Sequence, residues 1–316
     1  MAPCLEDCPN EILEAIVILL DLVGICSLRR TCRSMAASAT QSHFKSFFLS
    51  KRVELEEGEL RLFAGATQSG GLGCLIQELS LVELAISVSE SNLVARDDPT
   101  EVSRLLTQAF SGLAAGSKTG KLNTLLLEVA VVQSDTEARL PPAAVPSGNW
   151  RCVWRAAAST FDVAWRALVA SRLPIQSLNV FNGPQLHRCS LGSNHLGSID
   201  WRDPGVAESR ANMKSLSISL SNRTVEMYED NTEQENESVK EYGESEDSGQ
   251  RDMEDMRAEA EAECNFSGLA NLLRVCPRLD SLEVHYFTLR NRPLTDVEAH
   301  HERLLQSVVE LDSCRS

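Results

Sequence analysis

Ala115-Gly116-Ser117-Lys118-Thr119-Gly120-Lys121-Leu122 is the stretch of this sequence closest to a phosphate-cradling loop, whose chemistry would be nucleotide binding through backbone N–H groups and a lysine. That pattern needs glycine at 115 and Ser or Thr at 122, with a strand before it and a helix after it. Here the apolar spacing predicts the reverse order, so the segment reads as a helix-ending turn. Cys4 and Cys8 have three residues between them, and no second Cys or His pair stands at a zinc-like spacing, so no metal site is expected. His285 and the pair His300-His301 lie near carboxylates without the flanking pattern of a triad or a two-carboxylate site. Trp150, Trp154 and Trp165 fall at near-helical spacing with Phe161, which suits a core-facing helix, although a patch on a concave face would use the same residues. These residues give no basis for an active site, and the expectation is a non-catalytic chain that needs no cofactor.

The elements that would position any such group alternate along the chain. Helices are predicted at Glu56 to Ala66, Thr100 to Leu113, Trp154 to Ser171 and Phe266 to Val275, and short β-rich runs at Ile76 to Leu84, Leu122 to Val131, Ile175 to Phe181, Met213 to Leu220 and Leu279 to Phe287. The order is helix, tight connection, strand, repeated. Each strand returning through a helix gives an α/β fold with a parallel sheet. The strand centres lie roughly 40 to 65 residues apart, longer and less regular than the roughly 20 to 29 of well-formed leucine-rich repeats, so this part resembles a degenerate leucine-rich-repeat-like solenoid with insertions. An ordinary doubly wound α/β sheet fits the same alternation, although its strand-terminal glycine fingerprint is missing.

With 316 residues, 43% of them hydrophobic, the chain can bury a large core, and its net charge of −15 argues against binding nucleic acid or an anionic membrane electrostatically. Ile12 to Cys26 is too short for a membrane span and carries Glu14 and Asp21. Scattered cysteines and an N-terminus without a basic start point to a reducing compartment, cytoplasmic and/or nuclear, where the sequons at Asn222, Asn236 and Asn265 would not be used. Residues 226–263 crowd acidic side chains together, opposed only by Lys240, Arg251 and Arg257, and are predicted to form a disordered loop with a transient helix at Met253 to Ala262. Its role is either acidic docking or phosphorylation, or simply that of a tolerated insertion.

The N-terminus is different. Asp7 and Pro9 are helix-start signals, Ile12, Leu13, Ile16, Leu19 and Leu20 make one broad apolar helical face, and a second helix is predicted around Ile25 to Ser38, separated by Gly24. Cys8-Pro9-Asn10-Glu11-Ile12-Leu13, then Ile16, Leu20, Leu28-Arg29 and Thr31-Cys32-Arg33, resemble the F-box, a three-helix module that the resemblance places at residues 1–42. Cys8 stands where leucine is usual, Gly24 where the family often has an acidic helix cap, and Met35 where a larger residue is common. The resemblance implies binding of a Skp-type adaptor through Pro9, Ile12, Leu13, Ile16 and Leu20, with Leu28 and Cys32 supporting the second helix. Through that adaptor it implies a cullin scaffold, and a substrate-recognition role for residues 43–316 toward an unknown protein substrate. A repeat scaffold whose F-box acts outside ubiquitination, and an enzyme with an unrecognised site, are the competing readings.

Overall fold

The computed structural model describes residues 8–40, 42–68, 71–87, 98–117, 119–133, 138–145, 150–186, 189–221 and 263–287. Four short helices come first: α1 (Asn10–Ile18), α2 (Leu22–Arg29), α3 (Arg33–Ser38) and α4 (Ser42–Ser46). The single helix predicted around Ile25 to Ser38 is therefore two. The chain leaves α2 at Arg30, extends at Cys32, and begins again where the Cys32 sulfur accepts the Met35 N–H at 3.4 Å. Gly24 does not separate helices but lies in the first turn of α2, and its N–H is held at 2.7 Å by the Asp21 carboxylate. The cap that glycine cannot offer thus comes from three residues earlier, an interaction worth about 1 kcal/mol. Val17, Ile25, Ala39 and Phe44 form a small core, against which Leu20, Leu22, Leu28, Phe48 and Leu72 pack. Arg29 lays its guanidinium over the Phe44 ring, 4.1 Å from its centre.

Eight strands follow among the described residues: β1 (Ser50–Glu54), β2 (Glu78–Ser87), β3 (Leu122–Gln133), β4 (Arg139–Leu140), β5 (Ile175–Val180), β6 (Leu191–Gly192), β7 (Ser215–Ser221) and β8 (Ser281–Phe287). The fold is α/β with a largely parallel sheet. Strands β1, β2, β3, β5, β7 and β8 pair in the order in which they occur. β4 adds antiparallel to Val131 and Val132, and β6 lies beside the end of β7 beyond β5. A doubly wound sheet would reverse its strand order once and open a crevice there. This order never reverses. Right-handed crossovers taken always in one direction put their helices on one face, where α5 (Glu57–Thr67), α6 (Pro99–Gly116) and α7 (Trp150–Ser171) pack side by side. Three further helices, α8 (Ser193–Gly197), α9 (Pro204–Arg210) and α10 (Glu263–Arg274), complete the later crossovers.

Pairing register explains the leucine pattern. Leu79, Leu125, Leu178 and Leu216 stand in one row across four strands, and Leu81, Leu127, Val180 and Ile218 in the next, all buried under the helices. Each such side chain contributes roughly 1.5–3 kcal/mol by leaving water. Ala156, Ala157, Ala164 and Ala167 are buried on α7, and their small size lets this long helix lie close over β2 and β3. Gly112 is needed for close approach: a Cβ there would sit 2.7 Å from the Thr67 carbonyl oxygen at the end of α5. Between α6 and β3 the chain turns through Gly120, whose φ of 61° favours glycine, so the stretch 115–122 is a helix-to-strand turn as the spacing predicts. The acidic segment predicted over 226–263 lies outside the described residues except for Glu263, which opens α10; Cys4, Lys118, Asn222, Asn236 and His300-His301 also lie outside them.

Candidate functional site

The helical module carries surplus apolar surface on one side. Of the seven large apolar side chains exposed among the described residues, Ile12, Ile18, Leu19 and Val23 fall in the first two helices and the link between them. Pro9 is exposed where it caps α1, and Ile12, Ile16 and Leu19 continue from it at helical spacing, with Ile12 51% and Leu19 85% exposed. Val23, 72% exposed, extends the stripe onto α2. The neighbouring stripe on α1 does the opposite job: Leu13 (4% exposed) and Val17 are buried, and Leu20 is half-buried against the small core. Among the residues expected to meet a partner, Pro9, Ile12 and, in part, Ile16 reach the surface. Leu13 does not, since its side chain is taken up inside the module. Leu28 packs on the core and Cys32 caps α3, both in supporting positions. Leu19, Val23 and Ile18 join the surface from positions that a helix-by-helix reading leaves at the ends.

The other face of the sheet has no covering helix among the described residues, and two of its rows are largely polar. Arg52, Ser80, Leu126, Asn179, Ser217 and Glu283 form one row across six strands, with Ser50, Glu78, Thr124, Ser177, Ser215 and Ser281 in the row beside it. At the end nearer β8 the groups are linked. The Asn182 amide donates to the Ser217 hydroxyl at 2.5 Å, that hydroxyl donates to Glu283 at 2.9 Å, and His285 Nε2 lies 3.0 Å from the other Glu283 oxygen. These hydrogen bonds, the one to His285 first, hold the Glu283 carboxyl below the usual carboxylate range. Beside the network Phe181, with φ 57°, adopts a left-handed conformation that costs a bulky residue energy. Its N–H bonds to Leu127 O, and its carbonyl accepts from the Ser219 hydroxyl at 3.1 Å. At the other end Arg52 pairs with Glu128 at 3.4 Å, passing over β2, and Arg139 forks onto Glu54. Exposed pairs of this kind are worth about 0–1 kcal/mol each, so their main effect is to fix side-chain positions.

Among the described residues, the remaining polar groups do not line up as nucleophile, base and orienting group. His195, on α8, places Nδ1 3.5 Å from Asp162 at the edge of a cavity of about 560 Å³, but the nearby Ser198 hydroxyl donates to the His195 carbonyl oxygen instead of to its ring, so the chain of nucleophile, base and orienting group is broken. A second cavity, about 630 Å³ and mainly apolar, lies between α4, β1 and α5, lined in part by Phe47, Phe48, Leu62 and Phe63. Trp165 is core: it stacks on Phe161 at 5.4 Å and meets Trp201 edge-on at 5.6 Å. Arg210 is fully buried against the same ring, 4.2 Å from its centre, its three guanidinium nitrogens without hydrogen-bond partners. Burial pushes this group down to about 10. Among the described residues no cluster of three His, Cys, Asp or Glu side chains could hold a metal ion, and no helix is long and apolar enough to cross a membrane.

Compared with protein-family models, with curated proteins and with solved structures, the chain matches none.

Proposed function

We propose that this protein is a non-catalytic substrate-recognition subunit of a Skp-cullin-F-box ubiquitin ligase, in which the N-terminal helices dock a Skp-type adaptor and the leucine-rich-repeat-like sheet holds a protein substrate. The observation that carries this reading is the exposed stripe Pro9, Ile12, Ile16, Leu19 and Val23 beside a core of only a few side chains. A module of this size cannot bury all its apolar residues in itself, and shared burial with a partner, at roughly 1.5–3 kcal/mol per side chain before association costs, resolves the surplus. The residues of the F-box pattern divide accordingly: Pro9, Ile12 and Ile16 contact the adaptor, while Leu13, Leu20, Leu28 and Cys32 shape the helices beneath. The ligase would act by proximity, the adaptor bringing a cullin and its ubiquitin-charged enzyme to a bound substrate, in the cytoplasm and/or nucleus. Substrate binding is assigned to the polar sheet face, where Asn182, Ser217, Glu283 and His285 are already ordered by one another and Phe181 holds a strained backbone.

Co-expression of the full chain with a Skp-type adaptor tests this. Wild type should recover the adaptor and, with it, a cullin; Ile12→Asp with Leu19→Asp should recover neither, while Leu62→Asp, on the exposed face of α5, should behave as wild type. Leu13→Asp is unsuitable because it would place a charge in the buried stripe. A folded wild type that recovers no adaptor would sink the proposal, and adaptor recovery without a cullin would turn it into that of a repeat scaffold acting outside ubiquitination.

A further inference from the structure

Charge is distributed very unevenly along this chain. Between Asp21 and Glu54 there are six Arg and Lys residues and no Asp or Glu, although the whole chain carries −15. Two of the six are committed: Arg29 lies over Phe44 and Arg52 pairs with Glu128. Arg30, Arg33, Lys45 and Lys51 are exposed and have no ion-pair partner among the described residues. Three of these lie on the helical module: Arg30 directly after α2, Arg33 at the start of α3, and Lys45 on α4. Val23 and Arg30 lie seven positions apart, two helical turns, so the exposed face of α2 runs from an apolar anchor to a cation. The small module thus carries both features found at protein interfaces, an apolar centre and a charged margin.

We propose that the helical module docks through this mixed surface, with Leu19 and Val23 as apolar anchors and Arg30, Arg33 and Lys45 as a cationic margin, and that its occupant is an acidic protein surface presenting carboxylates to that margin. The inference rests on the adaptor reading and adds to it the chemistry of the docked partner: the adaptor carries Asp and Glu opposite these three residues. Charge complementarity selects a protein over the other polyanions. Screening limits the margin's reach to about 8 Å at physiological salt, so a partner of limited footprint meets only the cationic patch. Leu19 and Val23 beside the cations supply the apolar centre that a protein contact buries and a hydrated nucleic-acid backbone leaves unused, and three cations fall short of the cluster of about four to eight basic residues that marks an anionic membrane site. A margin of this kind acts chiefly on the rate of association and on partner choice, while the apolar anchors hold the complex.

The test measures association of the full chain with a purified Skp-type adaptor by surface plasmon resonance at about 50 and about 300 mM NaCl, for wild type, for Arg30→Glu with Arg33→Glu and Lys45→Glu, and for the same three positions changed to Gln. For wild type the association rate should fall roughly tenfold across that salt range. The Glu variant should bind roughly tenfold more weakly or worse at low salt, and the Gln variant roughly threefold. Because the three side chains are exposed, thermal melts of both variants should match wild type. Adaptor binding that ignores salt and all three substitutions overturns this inference and leaves the ligase reading intact. Absence of wild-type binding overturns both. Retention of wild type on single-stranded RNA or phosphatidylserine vesicles, abolished by the Glu substitutions while adaptor binding is unaffected, assigns the patch to a polyanion and also overturns the inference.

Discussion

The helical module and the sheet meet the problem of apolar burial in opposite ways. In the sheet, Leu79, Leu125, Leu178 and Leu216 line up in one row that is at most 2% exposed, and two rows of the opposite face carry mostly Ser, Thr, Asn, Arg and Glu around Leu126. In the module, Val17, Ile25, Ala39 and Phe44 make a minimal core while Ile12, Leu19 and Val23 face solvent. One region has resolved its burial internally. The other holds its apolar surface open, and the difference locates where a partner adds stability and where it can add only specificity.

The comparison can be broken most directly by truncating one leucine or isoleucine in each region. Leu216→Ala should cost about 2–5 kcal/mol in a urea titration, because the closely packed row around it cannot collapse into the gap. Ile12→Ala should cost less than about 0.5 kcal/mol, as expected of a surface change; equal costs would mean that the stripe on α1 is satisfied within the chain. A smaller effect is expected at Arg210, the fully buried guanidinium none of whose nitrogens is hydrogen-bonded. Arg210→Met keeps the volume against Trp165 and removes an unpaired guanidinium, so it should leave stability unchanged or raise it by about 1 kcal/mol; a loss of several would show that Arg210 has a compensating role that its contacts do not reveal. The smallest effect is expected on the polar face. Ser217→Ala removes one hydrogen bond from Glu283, and NMR titration of that carboxyl should show it moving up toward the ordinary range while remaining below it because of His285. Since the folded-state value is lowered, the contribution of this group to stability is present above the ordinary carboxylate range and is lost as pH falls through the folded-state value. An unmoved titration would mean that the Ser217 contact carries no weight.

Much of the sheet could be read directly from the residues. Runs such as Met213 to Leu220 alternate apolar and hydroxyl side chains because one face is covered and the other is wet, and the helices before them show the broader helical period. β1 escaped because an edge strand needs little inward apolar surface: Ser50, Lys51, Arg52 and Glu54 surround one buried valine. β4, β6, α8 and α9 are too short for any period to register. The candidate site was half legible. Two adjacent stripes of α1 are both apolar, and spacing alone cannot say which of them, Ile12 and Ile16 or Leu13 and Val17, turns toward the other helices. Only the packing of the helices against one another, α3 and α4 against α1, decides it, which is why spacing offers Leu13 to a partner and the fold buries it. The Asp21 cap is hidden for a related reason, since the helix begins at Leu22, two residues before the glycine that reads as a break between helices.

The unbroken strand order also bears on how the molecule is made. Of the strands after β1, all but the two-residue β6 emerge from the ribosome after a neighbour they will pair with, so the growing sheet can accept strands one at a time and need not hold a long early strand unpaired until a distant one arrives. That lowers the exposure of open edges to other nascent chains. Among the described residues the last strand, β8, is the least secured: Leu282, 41% exposed, continues the otherwise buried row to its edge. Opening fluctuations should therefore begin at β8 and travel inward, and amide hydrogens there should exchange with solvent before those of β3 and β5.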